Sequence, residues 1–198
     1  MMLPGNVCNN HVNRWRIEML ETIGKVKRWA HDRNLIEGSN SATQYLKLVS
    51  ELGELADNIN KKQDVRDSIG DCLVVLLILG EQNYVSTSRY IRCFADIVHG
   101  DVAYRGEQSP KVHFMWLADA VGRIGRQLSR DRCIGDQIMD CVLRLSDIAD
   151  LSGGYTLAHC LEHAYNEIKD RRGVMLDGVF IKEGDDAYAA AVELLGKD

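Results

Sequence analysis

The 198-residue chain has only two prolines and no apolar run long enough to cross a membrane. Pro4 and Pro110 lie outside the segments with helical periodicity, so proline interrupts no predicted helix. The longest apolar run, residues 72–79, is far shorter than the roughly 20 residues of a spanning helix. The first sixteen residues also lack the apolar stretch of a signal peptide. We therefore expect a cytoplasmic protein with no membrane partner.

Basic charge is scarce as well, with 24 Lys and Arg against 29 Asp and Glu and a net charge of −5. No basic face stands out, which argues against nucleic acid as a partner. None of the six cysteines forms a CxxC pair, so we expect reduced, buried thiols in place of disulfides. The segment 159–163, HCLEH, matches the H-x-x-E-H motif of one class of zinc protease, but no third zinc ligand is evident.

Helical periodicity is what the chain has in abundance. A pairing of Ser41 with Gln44 predicts a capping box, and Asp64 is a predicted N-cap for the helix that follows. Only 173–185 looks extended, as a short hairpin or tail. The apolar spacing predicts helices at 12–33, 42–61, 65–83, 87–99, 111–129, 133–151, 156–171 and 185–196.

The chain also matches itself when it is shifted by 69 residues. Residues 45–55 align with 114–124, and the segment DSIGDCL at 67–73 aligns with DQIMDCV at 136–142. After a two-residue gap, 93–106 aligns with 160–173. Chance similarity between helices is the alternative to a duplicated unit. We predict an all-α fold: a four-helix-bundle core from two fused helical repeats, 41–106 and 107–173, with an N-terminal helix (1–40) and a basic tail with a short helix (174–198).

Six carboxylates crowd into the first repeat, at Glu51, Glu54, Asp57, Asp64, Asp67 and Asp71. Glu51 and Glu54 share a face of one helix, and Asp67 and Asp71 share a face of the next. In an antiparallel pair at roughly 1.5 Å per residue, Glu54 lies level with Asp71, and Asp57 with Asp67. Oxygen ligands alone favour Mg²⁺ or Mn²⁺, whereas the alternative is a solvated acidic face.

Two further segments carry a resemblance to a known family. The pair Glu51-Leu-Gly-Glu54, followed by Asp71 in SIGDCL, resembles the Glu-x-x-Glu, spacer, Glu-x-x-Asp signature of the MazG-like all-α nucleoside triphosphate pyrophosphohydrolases. That superfamily includes the dimeric dUTPases. Residues 155–185 resemble the tail of its phage-type members. Ser68 departs from the signature, because it stands where the family has a glutamate.

The resemblance implies hydrolysis of a nucleoside triphosphate to the monophosphate and pyrophosphate, in a bacterial cytoplasm or that of a phage host. It implies that Glu51, Glu54 and Asp71 are catalytic and hold Mg²⁺, for which Mn²⁺ could substitute. Asp67, one turn before Asp71, is the candidate for a fourth metal ligand in place of Ser68. Basic residues would then contact the phosphates. The candidates are Lys47, Lys169, Arg171, Arg172 and Lys182.

The second repeat has lost these acids. Glu51 aligns with Ala120, and Glu54 and Asp57 align with Arg123 and Arg126, while Asp136 and Asp140 remain. We therefore predict ion pairs of Arg123 with Asp140 and of Arg126 with Asp136, and no metal in this half. Two other functions stay open: a non-catalytic nucleotide- or partner-binding module with a decayed site, and a structural adaptor. A homodimer is also possible.

Overall fold

The structure is a computed structural model that describes residues 6–86 and 109–196, with side chains described from residue 17 onward. The described residues are mostly helical, which confirms the all-α class, and the extended segment is a hairpin. The elements are α1 (Asn6–Asp32), α2 (Ser41–Lys61), α3 (Arg66–Gln82), α4 (Pro110–Leu128), α5 (Gly135–Gly153), α6 (Leu157–Ile168), β1 (Gly173–Leu176), β2 (Val179–Lys182) and α7 (Tyr188–Leu195). The helix predicted at 87–99 lies outside the described residues.

Helix α3 is the central element of the fold. Every residue from Ser68 to Gly80 is buried except Asp71, which is half-buried. A helix that is apolar on all sides has no face to offer to water, so neighbouring helices must surround it. Helices α1, α2, α5 and α6 all pack against α3. The carboxylate of Asp71 is therefore the one ionisable group that this buried stretch exposes in part.

The starts of α2 and α3 differ from the predicted caps. Asn40 caps α2, because its side chain accepts a hydrogen bond from the Thr43 N–H at 3.0 Å. The predicted Ser41–Gln44 capping box is wrong: Gln44 is buried and donates to Ser39 Oγ instead. Asp64 does accept a hydrogen bond from the Arg66 N–H at 2.9 Å, but it lies one residue outside the N-cap position of α3.

Two helical hairpins, α2–α3 and α4–α5, pack against each other. Helices α2 and α4 are antiparallel, since Lys111 Nζ donates to Asn60 Oδ1 at 3.0 Å near one end and the Tyr45 ring lies against Gly125 near the other. The first residues of α2 and α4 are 69 positions apart, and so are those of α3 and α5. The buried positions follow the same shift, as Leu48 and Leu117 illustrate.

The β-hairpin lies beside the start of α2. Strands β1 and β2 are antiparallel, with Gly173 opposite Lys182. The turn has positive φ at Asp177 and at Gly178, where glycine relieves the backbone strain. A Cβ added at Gly178 would meet Asn40, Gly38 and Thr43 as its nearest neighbours. The hairpin tip is therefore seated on the loop that enters α2.

The cysteines mostly follow the prediction. Cys72, Cys141 and Cys160 are free and buried, whereas Cys133 is free but exposed, so burial was predicted wrongly there. Cys133 lies in the connection before α5, outside the helical face that packs into the core. The other two cysteines lie outside the residues whose side chains are described. No helix in the described ranges has the length and apolar character needed to cross a membrane.

Candidate functional site

Glu51 is a buried charged residue, with only 3% of its surface exposed. It lies on the face of α2 that carries Leu48 and Leu55 into the core. One carboxylate oxygen forms an ion pair with Lys47, which is one turn earlier and half-exposed. The other oxygen, Oε2, is buried with no hydrogen-bond partner among the described residues. Leaving a buried carboxylate oxygen unpaired is energetically unfavourable, so this atom is a candidate position for contact with a ligand or a water molecule.

Asp71 lies on α3 within reach of the same charges. Burial raises the pKa of Asp71 to about 6, and the negative charges of Glu51 and Asp67 contribute to that rise. The cations Arg171 and Lys47 act in the opposite direction. The structure thus brings Glu51, Asp67 and Asp71 close enough for each charge to act on the next, with two cations beside them.

The buried thiol of Cys72 lies near the same group of carboxylates. Burial raises the pKa of its thiol well above the ordinary value, and the charges of Glu51, Asp71 and Glu54 contribute to that rise. Glu54 is exposed, so it borders the site from the solvent side. Reactive cysteines need a lowered pKa, so Cys72 is part of the packing and has no chemistry of its own.

Asp57 and Asp67, which we expected at one height, have other partners. Asp57 is exposed and accepts a hydrogen bond from Lys61 at 2.9 Å on its own helix. Asp67 Oδ1 lies 3.6 Å from Nδ1 of His163, on α6. Asp67 therefore stays near the site, while Asp57 is part of the solvated surface of α2.

Ser68, which departs from the MazG-like signature described above, has a structural role. The residue is buried, its Oγ donates to the Val65 carbonyl at 3.3 Å, and it accepts a hydrogen bond from Asn58 Nδ2 at 3.2 Å. These contacts tie the end of α2 to the first turn of α3. A hydroxyl used in this way has no charge to offer to a cation.

The carboxylates of this site are the type of ligand that a hard divalent cation prefers. Glu51, Asp71 and Asp67 offer oxygen atoms alone, and Glu51 Oε2 has no other partner within the described part of the chain. The ligands are not already gathered, however: over the ranges 6–86 and 109–196, no three His, Cys, Asp or Glu side chains form a group that could hold a metal ion. The same finding gives no support to zinc at the 159–163 segment.

The predicted phosphate contacts separate into two groups. Arg171 is half-buried and its charge acts on Asp71, and Lys47 pairs with Glu51. Lys169 is exposed and donates to Asn166 at 3.1 Å. Arg172 and Lys182 are exposed, and neither forms an ion pair within the described part of the chain. Of the five predicted phosphate contacts, Arg171 and Lys47 are thus the two that the structure brings to the carboxylates.

Sequence reasoning missed two contributors from other helices. His163 approaches Asp67 from α6, although its spacing from His159 had suggested only a zinc motif. Arg33, at the end of α1, binds the backbone on either side of Asp170. No local signal could have found either contact, because each joins residues roughly a hundred or more positions apart and depends on how the helices pack.

The second hairpin has an ionic cluster at the corresponding place. The predicted pair of Arg123 with Asp140 is confirmed, and Arg123 also donates to Asp119 at 2.9 Å. Ala120, at the position of Glu51, is completely buried. The second predicted pair is wrong, because no ion pair joins Arg126 to Asp136 among the described residues, and both side chains are exposed.

The raised pKa of Asp71 predicts a specific dependence of stability on pH. Its folded pKa of about 6 exceeds the ordinary 3.8, so the stability it contributes is full below pH 3.8 and is lost as the pH rises through about 6. The neutral variant Asp71→Asn keeps that stability at every pH. We expect the melting temperature of Asp71→Asn, minus that of wild type, to grow from pH 4 to pH 7 in metal-free buffer.

Thermal melts at pH 4, 5, 6 and 7 would measure this difference. Asp57→Asn is the matched control, because that carboxylate is exposed and paired with Lys61, so its difference should not grow with pH. An Asp71→Asn difference that stays flat across the range would contradict the electrostatic description of the site.

Comparison with known proteins gives one relative and no established activity. Over 72 residues, the chain is 42% identical to a protein of Haemophilus phage HP1 described as an uncharacterized 18.2 kDa protein in the rep-hol intergenic region. The match covers 35% of this chain and 44% of the phage protein, so the chain spans less than half of that relative's length. No family model and no solved structure matches the chain.

Proposed function

We propose that this protein is a Mg²⁺-dependent nucleoside triphosphate pyrophosphohydrolase that converts a (deoxy)nucleoside triphosphate to the monophosphate and pyrophosphate. The observation that carries the proposal is the unpaired, buried Oε2 of Glu51 beside Asp71, whose pKa is raised to about 6. Two acids held together in this way destabilise the fold. Such arrangements are typical of sites at which stability has been given up for function.

Each side chain then has a definite role. Glu51, Glu54 and Asp71 would hold the cation, with Asp67 as the fourth ligand in place of Ser68. When bound, Mg²⁺ or Mn²⁺ would neutralise negative charge on the phosphates and on the carboxylates. Lys47 balances Glu51 when the site has no other cation. Arg171 is half-buried and near Asp71, so it is placed to bind a phosphate oxygen.

We also propose that α2–α3 and α4–α5 are two copies of one unit that form a four-helix bundle. The equal spacing of the helix starts and the matching buried positions support this. In the second copy, Ala120 and the Arg123–Asp140 pair replace the metal-binding acids. One chain would then have one working site, and its second copy would supply the packing surface.

The phage relative supports a setting for this activity. Because that relative is a phage protein, we propose that this chain acts in the cytoplasm of a phage-infected cell. The relative's description names no activity, so it adds nothing about the substrate. The nucleobase and the sugar are left to experiment.

The first test is pyrophosphate release from a panel of ribo- and deoxyribonucleoside triphosphates, with Mg²⁺ or Mn²⁺. We expect release from at least one triphosphate and its loss in Glu54→Ala, because the variant removes a cation ligand from the exposed side of the site. Asp57→Ala is the matched control. That acid is one turn further along α2 and pairs with Lys61, so its removal should leave the rate unchanged.

One observation favours a second candidate, a nucleotide-binding module without turnover. Ser68 is buried and hydrogen-bonded where the family signature has a glutamate, so one acid of the signature is absent. A module of this kind would release no pyrophosphate from any triphosphate. It would still be stabilised against heat by the nucleotide that it binds, since a ligand that prefers the folded state raises the melting temperature.

A further inference from the structure

Two side chains, those of Trp29 in α1 and of Arg33 just after α1, bind the C-terminal end of α6. Carbonyl groups in the last turn of a helix have no partner within the helix. Trp29 Nε1 donates to the Ile168 carbonyl at 2.9 Å. Arg33 Nη2 donates to the Lys169 carbonyl at 2.8 Å, and Arg33 Nε donates to the Arg171 carbonyl at 2.8 Å. Three carbonyls in four consecutive residues are therefore fixed from one neighbouring helix.

The two side chains also support each other. The guanidinium of Arg33 lies 5.2 Å from the centre of the Trp29 ring, within the range of a cation–π interaction. A guanidinium has donors in a rigid planar fork, so a single Arg33 can bind two carbonyls at a set spacing. A lysine at this position has a single charged nitrogen and cannot reproduce that geometry.

The segment that Arg33 holds is the one that carries Arg171. On its other side the chain enters β1, and the tip of that hairpin is seated on the start of α2 beside Asn40 and Thr43. Residue 171 thus lies between the backbone that Arg33 binds and a hairpin whose tip contacts the loop before α2. Its side chain forms no ion pair within the described ranges, although its charge acts on Asp71. A guanidinium so placed is available to a ligand.

We infer that Arg33 is a positioning residue, which holds the α6–β1 junction so that the guanidinium of Arg171 stays near Asp71 and can bind a phosphate of the substrate. The role for substrate rests on the proposed function. The placement of Arg171 next to Asp71 does not rest on the proposed function, and it can be tested by a measurement of stability that needs no enzymatic activity.

A double-mutant cycle on stability tests the placement. The free energy of unfolding is measured for wild type, Arg171→Gln, Asp71→Asn and the double variant, and the same four are then made in an Arg33→Lys background. We expect an interaction energy between residues 171 and 71 that is lost when Arg33 is lysine. Equal interaction energies in the two backgrounds would overturn the inference. Arg28→Lys, an exposed arginine of α1, is the matched control background.

Kinetics test the consequence for substrate. We expect Arg33→Lys and Arg171→Gln each to raise KM for the hydrolysed triphosphate by about tenfold, the order of one charge-assisted hydrogen bond, with kcat nearly unchanged. The double variant should be no worse than Arg171→Gln alone. Additive effects, or a fall in kcat alone, would contradict positioning. If no triphosphate is hydrolysed, the proposed function fails, and the stability cycle still decides the role of Arg33.

Discussion

Glu51→Gln should abolish pyrophosphate release and, in metal-free buffer, raise the melting temperature. Activity should fall at least about 100-fold, because loss of even an indirect partner of a metal site costs roughly 10- to 100-fold. Glutamine has nearly the same shape as glutamate, so the buried packing around residue 51 is kept. It has no negative charge to hold a cation.

The gain in stability follows from the charges that Glu51 meets. Its Oε2 is buried without a partner among the described residues, and its charge is one of the causes of the raised pKa of Asp71. Removing that charge lowers the cost of burying the unpaired side chain and removes its repulsion of the Asp71 carboxylate. The ion pair that is lost involves Lys47, which is half-exposed and can be solvated. We expect a net gain of about 1 kcal/mol, equivalent to about 2–4 °C in a chain of this size.

Pyrophosphate assays and thermal melts in EDTA would measure the two effects on the same sample. Glu81→Gln is the control, because Glu81 is a partly buried acid of α3 that is engaged by Lys27 at 2.5 Å. It should keep activity and lose stability, the reverse of Glu51→Gln. If Glu51→Gln hydrolyses triphosphate at the wild-type rate, Glu51 is not part of the active site. A Glu51→Gln protein that melts at a lower temperature would show that the Lys47 pair outweighs the repulsion.

Gly70→Ala should be the most destabilising conservative change in the core. A Cβ at residue 70 would clash with the backbone carbonyl of Cys160 and would lie only 2.6 Å from Cβ of Ala164. The obstacle is the backbone of α6, which cannot rotate away as a side chain can. Helices α3 and α6 would have to separate, at a cost of about 3 kcal/mol. For this chain length, that corresponds to a fall of about 6–12 °C in melting temperature.

Gly122→Ala is the matched control for Gly70→Ala. Apart from the backbone of its own helix, no atom of the described residues lies within 4 Å of a Cβ at residue 122, which is exposed in the middle of α4. Alanine there should stabilise the helix by about 0.5–1 kcal/mol through reduced chain entropy. Denaturant unfolding of both variants would give the two free energies. Equal effects would mean that α3 and α6 are not in close backbone contact.

The sequence predicted the helices well where apolar periodicity and local turn chemistry agree. Helix α2 was expected at 42–61 and is Ser41–Lys61, and α3 was expected at 65–83 and is Arg66–Gln82. The caps were harder, because several residues near 40 can accept the same backbone hydrogen bond. Asn40 takes that role, and Gln44 turns inward to Ser39, which a one-dimensional pattern cannot distinguish.

The candidate site was predictable only as far as two neighbouring helices determine it. The antiparallel pairing of α2 and α3 predicted Glu54 level with Asp71, and the α2 charge that acts on Asp71 in the structure is that of Glu51, one turn away. Contacts that α1 and α6 supply, through Arg33 and His163, depend on the packing of the whole chain. The second hairpin shows the same limit. Helix spacing predicted the Arg123–Asp140 pair, but one turn nearer the loop the exposed side chains of Arg126 and Asp136 remain apart.

The central position of α3 has a consequence for synthesis of the chain on the ribosome. Two of the helices that cover α3, α5 and α6, are made after it, and α6 ends 86 residues beyond the end of α3. At translation rates of roughly 5–20 residues per second, the apolar surface of α3 stays partly uncovered for on the order of 10 s. During that interval α1 also lacks the carbonyls that Trp29 and Arg33 bind. The nascent chain therefore passes through a stage in which chaperone binding or aggregation competes directly with folding.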